Sequence, residues 1–441
     1  MVFNILDYGA KPEAGFVNTK AIQAAIDACA ANGGGQVIVP MGEFLTGGIR
    51  LQSHVHLFLE AGAVLHASAN ANDYVAVKNL ASEPKCDLGA LVYANGAEDF
   101  SIDGYGTLLG NGHEDWGAWW GISTYLPFRV VTILLEECKS FQLLNFTIRF
   151  SDMWTVHLHR CEDVRVYGIT IRNNFRHLNS DGIDPDSCKN VVISDCNIHA
   201  GDDCICLKST VPDAPCENVV VSNCILVSPS TAIKLGTESH SAFRDVHFTN
   251  CIVKDSSIGV GIFVKDGALV ERVSFSNMTL ECAAREKIKP VNPLFIDIEK
   301  RHEDSKIGKV RDIQFSNLQI SAGSGALLQG MPESHLENIT ISDVTFRAGH
   351  AVDFSKRRKQ LGGKRTTKGD ERDTKYIRKP AYMAIAHVDG LTVRNVTVVQ
   401  ENGAADMAMS ALYLHDVSDK ELSAIRHKGA NGAQAPVIIE D

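Results

Sequence analysis

NVVISDCNI runs from Asn190, NVVVSNCIL from Asn218, DVHFTNCIV from Asp245 and RVSFSNMTL from Arg272. These are copies of one template: alternating apolar residues, Ser or Thr, Asn or Asp, an apolar residue, then a second short apolar stretch. It returns as DIQFSNLQI from Asp312, NITISDVTF from Asn338 and LTVRNVTVV from Leu391, with weaker copies FQLLNFTI from Phe141 and VRVYGITI from Val164. The apolar residue after the Asn, Asp or Gly marks each copy: Phe146, Ile169, Cys196, Cys224, Cys251, Met278, Leu318, Val344 and Val396. Successive separations are 23, 27, 28, 27, 27, 40, 26 and 52 residues. The 40 reads as one coil plus a loop. The 52 is twice 26, so one coil there is either degenerate or occupied by an insertion.

Period-two alternation means strand, and a turn residue at a constant place means that the chain bends there in every copy. A coil this short cannot close a core alone, so each must stack on the next. Leucine-rich repeats would need a leucine ladder, and propeller blades need about 40–50 residues. The fold class is therefore all-β, a single-domain parallel β-helix over 1–441. Its first coil needs a cap, and Thr19 to Asn32 fits an amphipathic helix, with Ile22, Ala25, Ile26 and Cys29 on one side and Gly33 to Gly35 ending it. No Lys-Ser or Lys-Thr follows those glycines, so they are a helix stop and not a phosphate loop.

Composition agrees. Of 441 residues 44% are hydrophobic and only 7% aromatic, as a ladder of small and branched side chains requires. The formal charge of −10 argues against a nucleic-acid partner, and no apolar run approaches the roughly 18 residues of a membrane span. Lys356 to Lys379 carries 11 Lys or Arg against 3 Asp or Glu, a net of +8, so the remainder is −18. This basic insertion reads as a solvated loop ahead of a flap over a polyanion. Met1 is followed at once by structured-looking sequence without a basic region, apolar segment and cleavage site. That implies an intracellular protein, or a mature secreted or periplasmic chain with a start Met added. The twelve cysteines form no zinc or redox pattern, and Cys196, Cys224 and Cys251 share one template position as small packed hydrophobes. Sequons at Asn145, Asn277, Asn338 and Asn395 read as the template's turn Asn, without glycosylation.

Two acidic motifs depart from the template: Asn179-Ser180-Asp181-Gly182-Ile183-Asp184 and Gly201-Asp202-Asp203-Cys204-Ile205. Asp181 and Asp202 are 21 residues apart, close to one coil, and stacked strands lie roughly 4.7–4.9 Å apart. The motifs should sit side by side. Carboxylates packed so closely repel, and at least one is expected to hold its proton near neutral pH. An acid beside ionised carboxylates suits glycosidic bond hydrolysis. A calcium site, with Asp184 and Asp186 as further ligands, is the alternative.

At this point the chain resembles glycoside hydrolase family 28, the polygalacturonase and rhamnogalacturonan hydrolase family. The resemblance begins with FNILDYGAK at Phe3 and the capping helix, and covers FLTGGIRLQSHVHLFLEAGAVL from Phe44. It continues through SDMWTVHLHRCEDV from Ser151, LNSDGIDPDSCKNV from Leu178 and GDDCICLKS from Gly201. It implies a right-handed parallel β-helix and inverting hydrolysis of pectic α-glycosidic bonds without metal or cofactor. By this resemblance Asp202 is the general acid, while Asp181 and Asp203 activate water. Adjacent rungs alone suggest a retaining separation, whereas inversion usually wants roughly 6.5–9.5 Å; the family expectation is inversion.

Two departures stand out. Where polygalacturonases usually carry Gly-His-Gly, Thr231 replaces the His, with Lys234 and Glu238 as neighbours able to alter the proton balance. The family's Arg-Ile-Lys reads Phe263-Val264-Lys265, so one of two cations, and the bidentate grip on a carboxylate, is lost. A subsite for a neutral or deoxy sugar such as rhamnose follows. The expected substrate-binding residues are His177, Asn179, Lys234, Glu238 and Lys265. Trp154 reads as core as readily as sugar platform, Trp116, Trp119 and Trp120 as better platforms, and His157 with His159 as one strand face lacking a third metal ligand. Polygalacturonase-like hydrolysis leads. A rhamnogalacturonan-directed exo-hydrolase, a calcium-dependent pectate lyase and a non-catalytic carbohydrate-binding β-helix are the alternatives.

Overall fold

The template's turn residues occupy the left-handed backbone region. Asn145, Gly168, Asp195, Asn223, Asn250, Asn277, Asn317, Asp343 and Asn395 all have φ between 52° and 69°. Asn, Asp and Gly tolerate that region at least cost, which is why these types recur there. The opening residue of each copy is a second such corner: Asn190, Asn218, Asp245, Arg272, Asp312 and Asn338 have φ of 53–57°. Asn338 belongs to this second corner, not to the turn expected for it. Side chains stack from coil to coil at these corners. Asn218 donates to Asn190 at 2.9 Å, and Asn190 to Asp163 at 2.9 Å. Asn395 donates to Asp343 and Asn317 to Asn277, each at 2.8 Å.

This computed structural model describes residues 1–81, 86–113, 127–283, 291–349, 381–400, 410–428 and 436–440. The basic insertion 356–379 and Trp116, Trp119 and Trp120 lie outside the described residues. The chain is an all-β parallel β-helix with an N-terminal capping helix, and it groups into two compact units. Among the described residues no helix is long and apolar enough to cross a membrane.

In the first unit, Met1–Cys206 with Asn218–Cys224, three parallel ladders run through successive coils. Ile133, Val156 and Ile183 pair on one face, Phe141, Val164 and Val191 on the second, and Ile148, Ile171 and Ile198 on the third. All nine are buried, so each rung removes three branched or aromatic side chains from water. The cap is the helix Thr19–Ala31, which buries Ile22, Ala25, Ile26 and Cys29 as expected.

In the second unit, Leu207–Glu217 with Ile225–Asp441, Met278 pairs directly with Leu318 and Val344 with Val396. The 52-residue separation therefore holds no further rung of this ladder between Val344 and Val396, which corresponds to the insertion reading and not to a degenerate coil. Phe248, Phe275 and Phe315 stack with centroids 5.5 and 5.2 Å apart and planes within 19°.

All twelve cysteines are free thiols, eleven of them buried. Cys196, Cys224 and Cys251 each donate Sγ–H to the carbonyl two residues earlier, at 3.2–3.3 Å. Cys138, Cys161 and Cys188 form a second thiol ladder at another corner, where burial pushes the Cys161 thiol well up. Trp154 is core: it packs with Leu88, Ala90, Val131, Leu134 and Met153.

Candidate active site

The loop from Asn173 to Ile183 carries the first acidic motif, and a buried polar lattice fixes it. Asn173 Nδ2 donates to Thr155 Oγ1 at 2.7 Å and to the Ser180 carbonyl at 3.0 Å, while its Oδ1 accepts from Ser151 N at 2.9 Å. Ser180 Oγ donates to the His177 carbonyl at 2.8 Å. Asn179 takes the left-handed conformation with φ 54°, which turns the chain into Asp181.

Arg129, fully buried, is the anchor that sequence reasoning missed. Its guanidinium donates to the Asp152 carbonyl, to the Leu178 carbonyl at 2.5 Å and to Asn179 Oδ1 at 3.1 Å. The Asp152 carboxylate lies 3.5 Å from Arg129 Nε, accepts from Val130 N at 3.0 Å and meets His177 Nε2 at 2.8 Å. Burial opposes ionisation of Asp152, but the His177 hydrogen bond and the Arg129 charge outweigh it and hold the carboxyl below its ordinary value. Burial in turn lowers the Arg129 pKa, against the opposing pull of Asp152. An arginine inside the apolar run FRVVTILL was the available signal, since a charge at a buried strand position needs a buried partner.

The expected stacking of the two motifs holds in the backbone. Thr155 N donates to the Asp181 carbonyl at 2.9 Å, Gly182 N to the Asp203 carbonyl at 2.8 Å and Ile183 N to the Cys204 carbonyl at 2.9 Å. Asp181 and Asp203 therefore belong to neighbouring rungs of the same ladder, both buried, while Asp202 is only half-buried. The glycines of both motifs are spacing requirements. A Cβ at Gly182 would overlap the Cys204 carbonyl, and one at Gly201 the Asn174 carbonyl and Ser180 Oγ.

The calcium alternative fits poorly. Asp186 is engaged by His157 Nε2 at 3.2 Å and Ser187 Oγ at 3.1 Å. The donors that converge are Asp181, Asp184 and the Cys206 thiol, within 4.8 Å of one another. Calcium takes six to eight oxygens, and a thiol is the wrong donor for it. His159 instead lies 3.5 Å from Glu136, whose carboxyl is held at about 2 by that contact, against burial, with help from Tyr93 and Asn95.

The remaining expected residues belong to the second unit and form a charge network of their own. Glu238 lies 3.8 Å from Lys208 Nζ and 3.8 Å from Arg301. Arg301, also missed from the sequence, grips Asp266 bidentately at 2.7 and 2.9 Å. Lys265 is ion-paired with Glu299. Phe263 packs against Phe295 with centroids 4.8 Å apart and planes tilted by 34°, and the Lys234 ammonium sits 5.4 Å from the centroid of the Phe263 ring. Thr231 is buried.

The chain is thus a parallel β-helix with two aspartate-bearing motifs stacked at a loop-and-strand junction. Residues 29–361 match the family model described as glycosyl hydrolases family 28. A Vitis vinifera protein named "Probable polygalacturonase" is 31% identical over 78% of this chain and 73% of its own length. Among solved structures, a hyperthermoactive exopolygalacturonase from Thermotoga maritima is 24% identical over 79% of this chain and 87% of that one, with a TM-score of 0.69. A Yersinia enterocolitica family 28 exopolygalacturonase is 17% identical over 96% and 78%, with a TM-score of 0.67. The chain belongs to glycosyl hydrolases family 28 and is a glycoside hydrolase with that family's right-handed parallel β-helix.

Proposed function

We propose that the protein hydrolyses α-glycosidic bonds of pectic polysaccharide or oligosaccharide in the manner of a polygalacturonase, with inversion. Asp202, the most accessible of the three aspartates, protonates the leaving oxygen. Asp181 and Asp203 orient and deprotonate the attacking water. The observation that carries the reading is the pairing of the Asp181-Gly182 and Asp203-Cys204 backbones on adjacent rungs, with Arg129 hydrogen-bonded to Leu178 and Asn179 of the same loop. Family membership and the polygalacturonase names of the relatives support the substrate class.

A second reading is favoured by one feature. Phe263 replaces a cation, and Lys265 is already paired with Glu299, so carboxylate recognition at that position is weakened. A rhamnogalacturonan-derived oligosaccharide, cleaved from one end, suits such a subsite.

Product analysis against polygalacturonate, rhamnogalacturonan and their oligomers tests both. Saturated galacturonate products with inverted anomeric configuration support the first reading, and activity confined to rhamnogalacturonan fragments supports the second. Unsaturated products absorbing in the ultraviolet would overturn hydrolysis.

A further inference from the structure

The second unit contains a side-chain constellation that glycoside hydrolysis does not use. His335, His387 and Asp416 immediately precede Leu336, Val388 and Val417, which pair in register on three successive coils. Their donor atoms lie within 4.8 Å of one another. Asp416 Oδ2 is 2.8 Å from His387 Nδ1 and 3.3 Å from His335 Nε2. In a tetrahedral zinc site with bonds of about 2.0–2.1 Å, neighbouring donors stand roughly 3.3 Å apart.

The distal nitrogen of His335 faces a second carboxylate. Its Nδ1 lies 3.2 Å from Asp389 Oδ1, and Ser418 Oγ donates to that same oxygen at 2.6 Å. A carboxylate standing behind the imidazole, on the side away from the other two donors, is the arrangement zinc ligands commonly show. His335 itself sits on a short, rigid bend: Met331 and Ser334 exchange backbone hydrogen bonds at 2.9 Å, and Ser334 Oγ donates to the Gly308 carbonyl at 2.7 Å.

We infer that His335, His387 and Asp416 form a binding site for a zinc-class divalent cation, with Asp389 as the carboxylate behind His335 and water completing the coordination. Two imidazoles and one carboxylate select a borderline metal over calcium or magnesium. Bound there, the ion cross-links three coils, so it acts on stability by binding the folded chain alone.

The test is a zinc titration of the full chain, free of affinity tag, in competition with a chromophoric chelator, with thermal unfolding followed in parallel. The expected result is one equivalent of zinc bound, at least tenfold weaker binding in His335→Ala and in Asp416→Asn, and a zinc-dependent rise in Tm of at least about 2 °C that both variants lose. His335 is partly exposed and its substitution leaves the ladder intact, so loss of folding does not confound it. Absence of stoichiometric zinc, or undiminished binding in both variants, would overturn the inference and leave a hydrogen-bonded His–Asp cluster. Neither outcome bears on the hydrolase reading.

Discussion

Arg129→Lys is the perturbation that most directly probes how the fold holds the loop that carries the proposed catalytic aspartate, Asp181. The guanidinium serves three acceptors: the carbonyls of Asp152 and Leu178 and the side chain of Asn179. A lysine keeps the charge beside Asp152 but brings one nitrogen in place of a fork. It cannot reach all three, so at least one of these acceptors loses its donor. Each such loss costs about 1–3 kcal/mol, and two would cost roughly 2–6 kcal/mol. Arg129→Met is a poorer choice, because an uncompensated buried carboxylate costs about 3–5 kcal/mol, a large share of a total near 5–15 kcal/mol. The Lys variant should fold, yet Leu178 to Asp181 should lose its fixed position. A misplacement of about 1 Å at a reacting group costs on the order of 10²-fold in rate. The assay is kcat from reducing-sugar release on polygalacturonate, with urea unfolding on the same preparation. We expect a loss of at least about 1 kcal/mol in stability and a fall in kcat of about 10²-fold. A stability loss with kcat within twofold of wild type would refute the claim that this clamp positions the catalytic carboxylates.

Other consequences are as direct. Asp202→Asn should lower kcat by about 10²–10⁴-fold while substrate affinity is kept, because a general acid acts in the transition state; near-normal turnover would remove Asp202 from that role. Glu136 has its folded pKa depressed to about 2 from 4.5, so it contributes stability above pH 4.5 that is lost as pH falls toward 2. Denaturant titrations across that window should show a shallower acid loss in Glu136→Gln, and identical slopes would reject the contribution. Native-state thiol labelling should modify at most one cysteine, the partly exposed Cys86, against twelve after unfolding. Phe275→Ala removes the middle of the Phe248–Phe275–Phe315 stack and should cost about 3–5 kcal/mol in chemical denaturation.

The repeat was legible because each coil solves the same local problem. Apolar residues alternate to face the core, and Asn, Asp or Gly recurs wherever the backbone enters the left-handed region, so periodicity and turn chemistry carry the fold without long-range information. The thiol ladder of Cys196, Cys224 and Cys251 and the adjacency of the two acidic motifs follow from that period by counting, and the capping helix from its own apolar spacing. The ambiguous 52-residue separation did not, because twice a coil length and a long insertion are the same number until Val344 is seen paired with Val396.

What supports the site depended on tertiary structure. Arg129 reaches Leu178 and Asn179 across some fifty residues of sequence. Arg301 meets Asp266 and Glu238, and His335 meets Asp389 and Asp416, from different coils. Period counting places backbones on rungs, yet it does not give the direction of a long side chain or the partner that a buried charge finds. Lys265 shows the limit most plainly: the sequence marked it as the surviving cation of a carboxylate-binding pair, and the folded chain pairs it with Glu299. The sequence by itself therefore determined the coil, its corners and the rung that bears the aspartates, because those are local and repetitive. Only the tertiary structure decided which charges are compensated, because compensation is a matter of distance across coils in a low-dielectric interior.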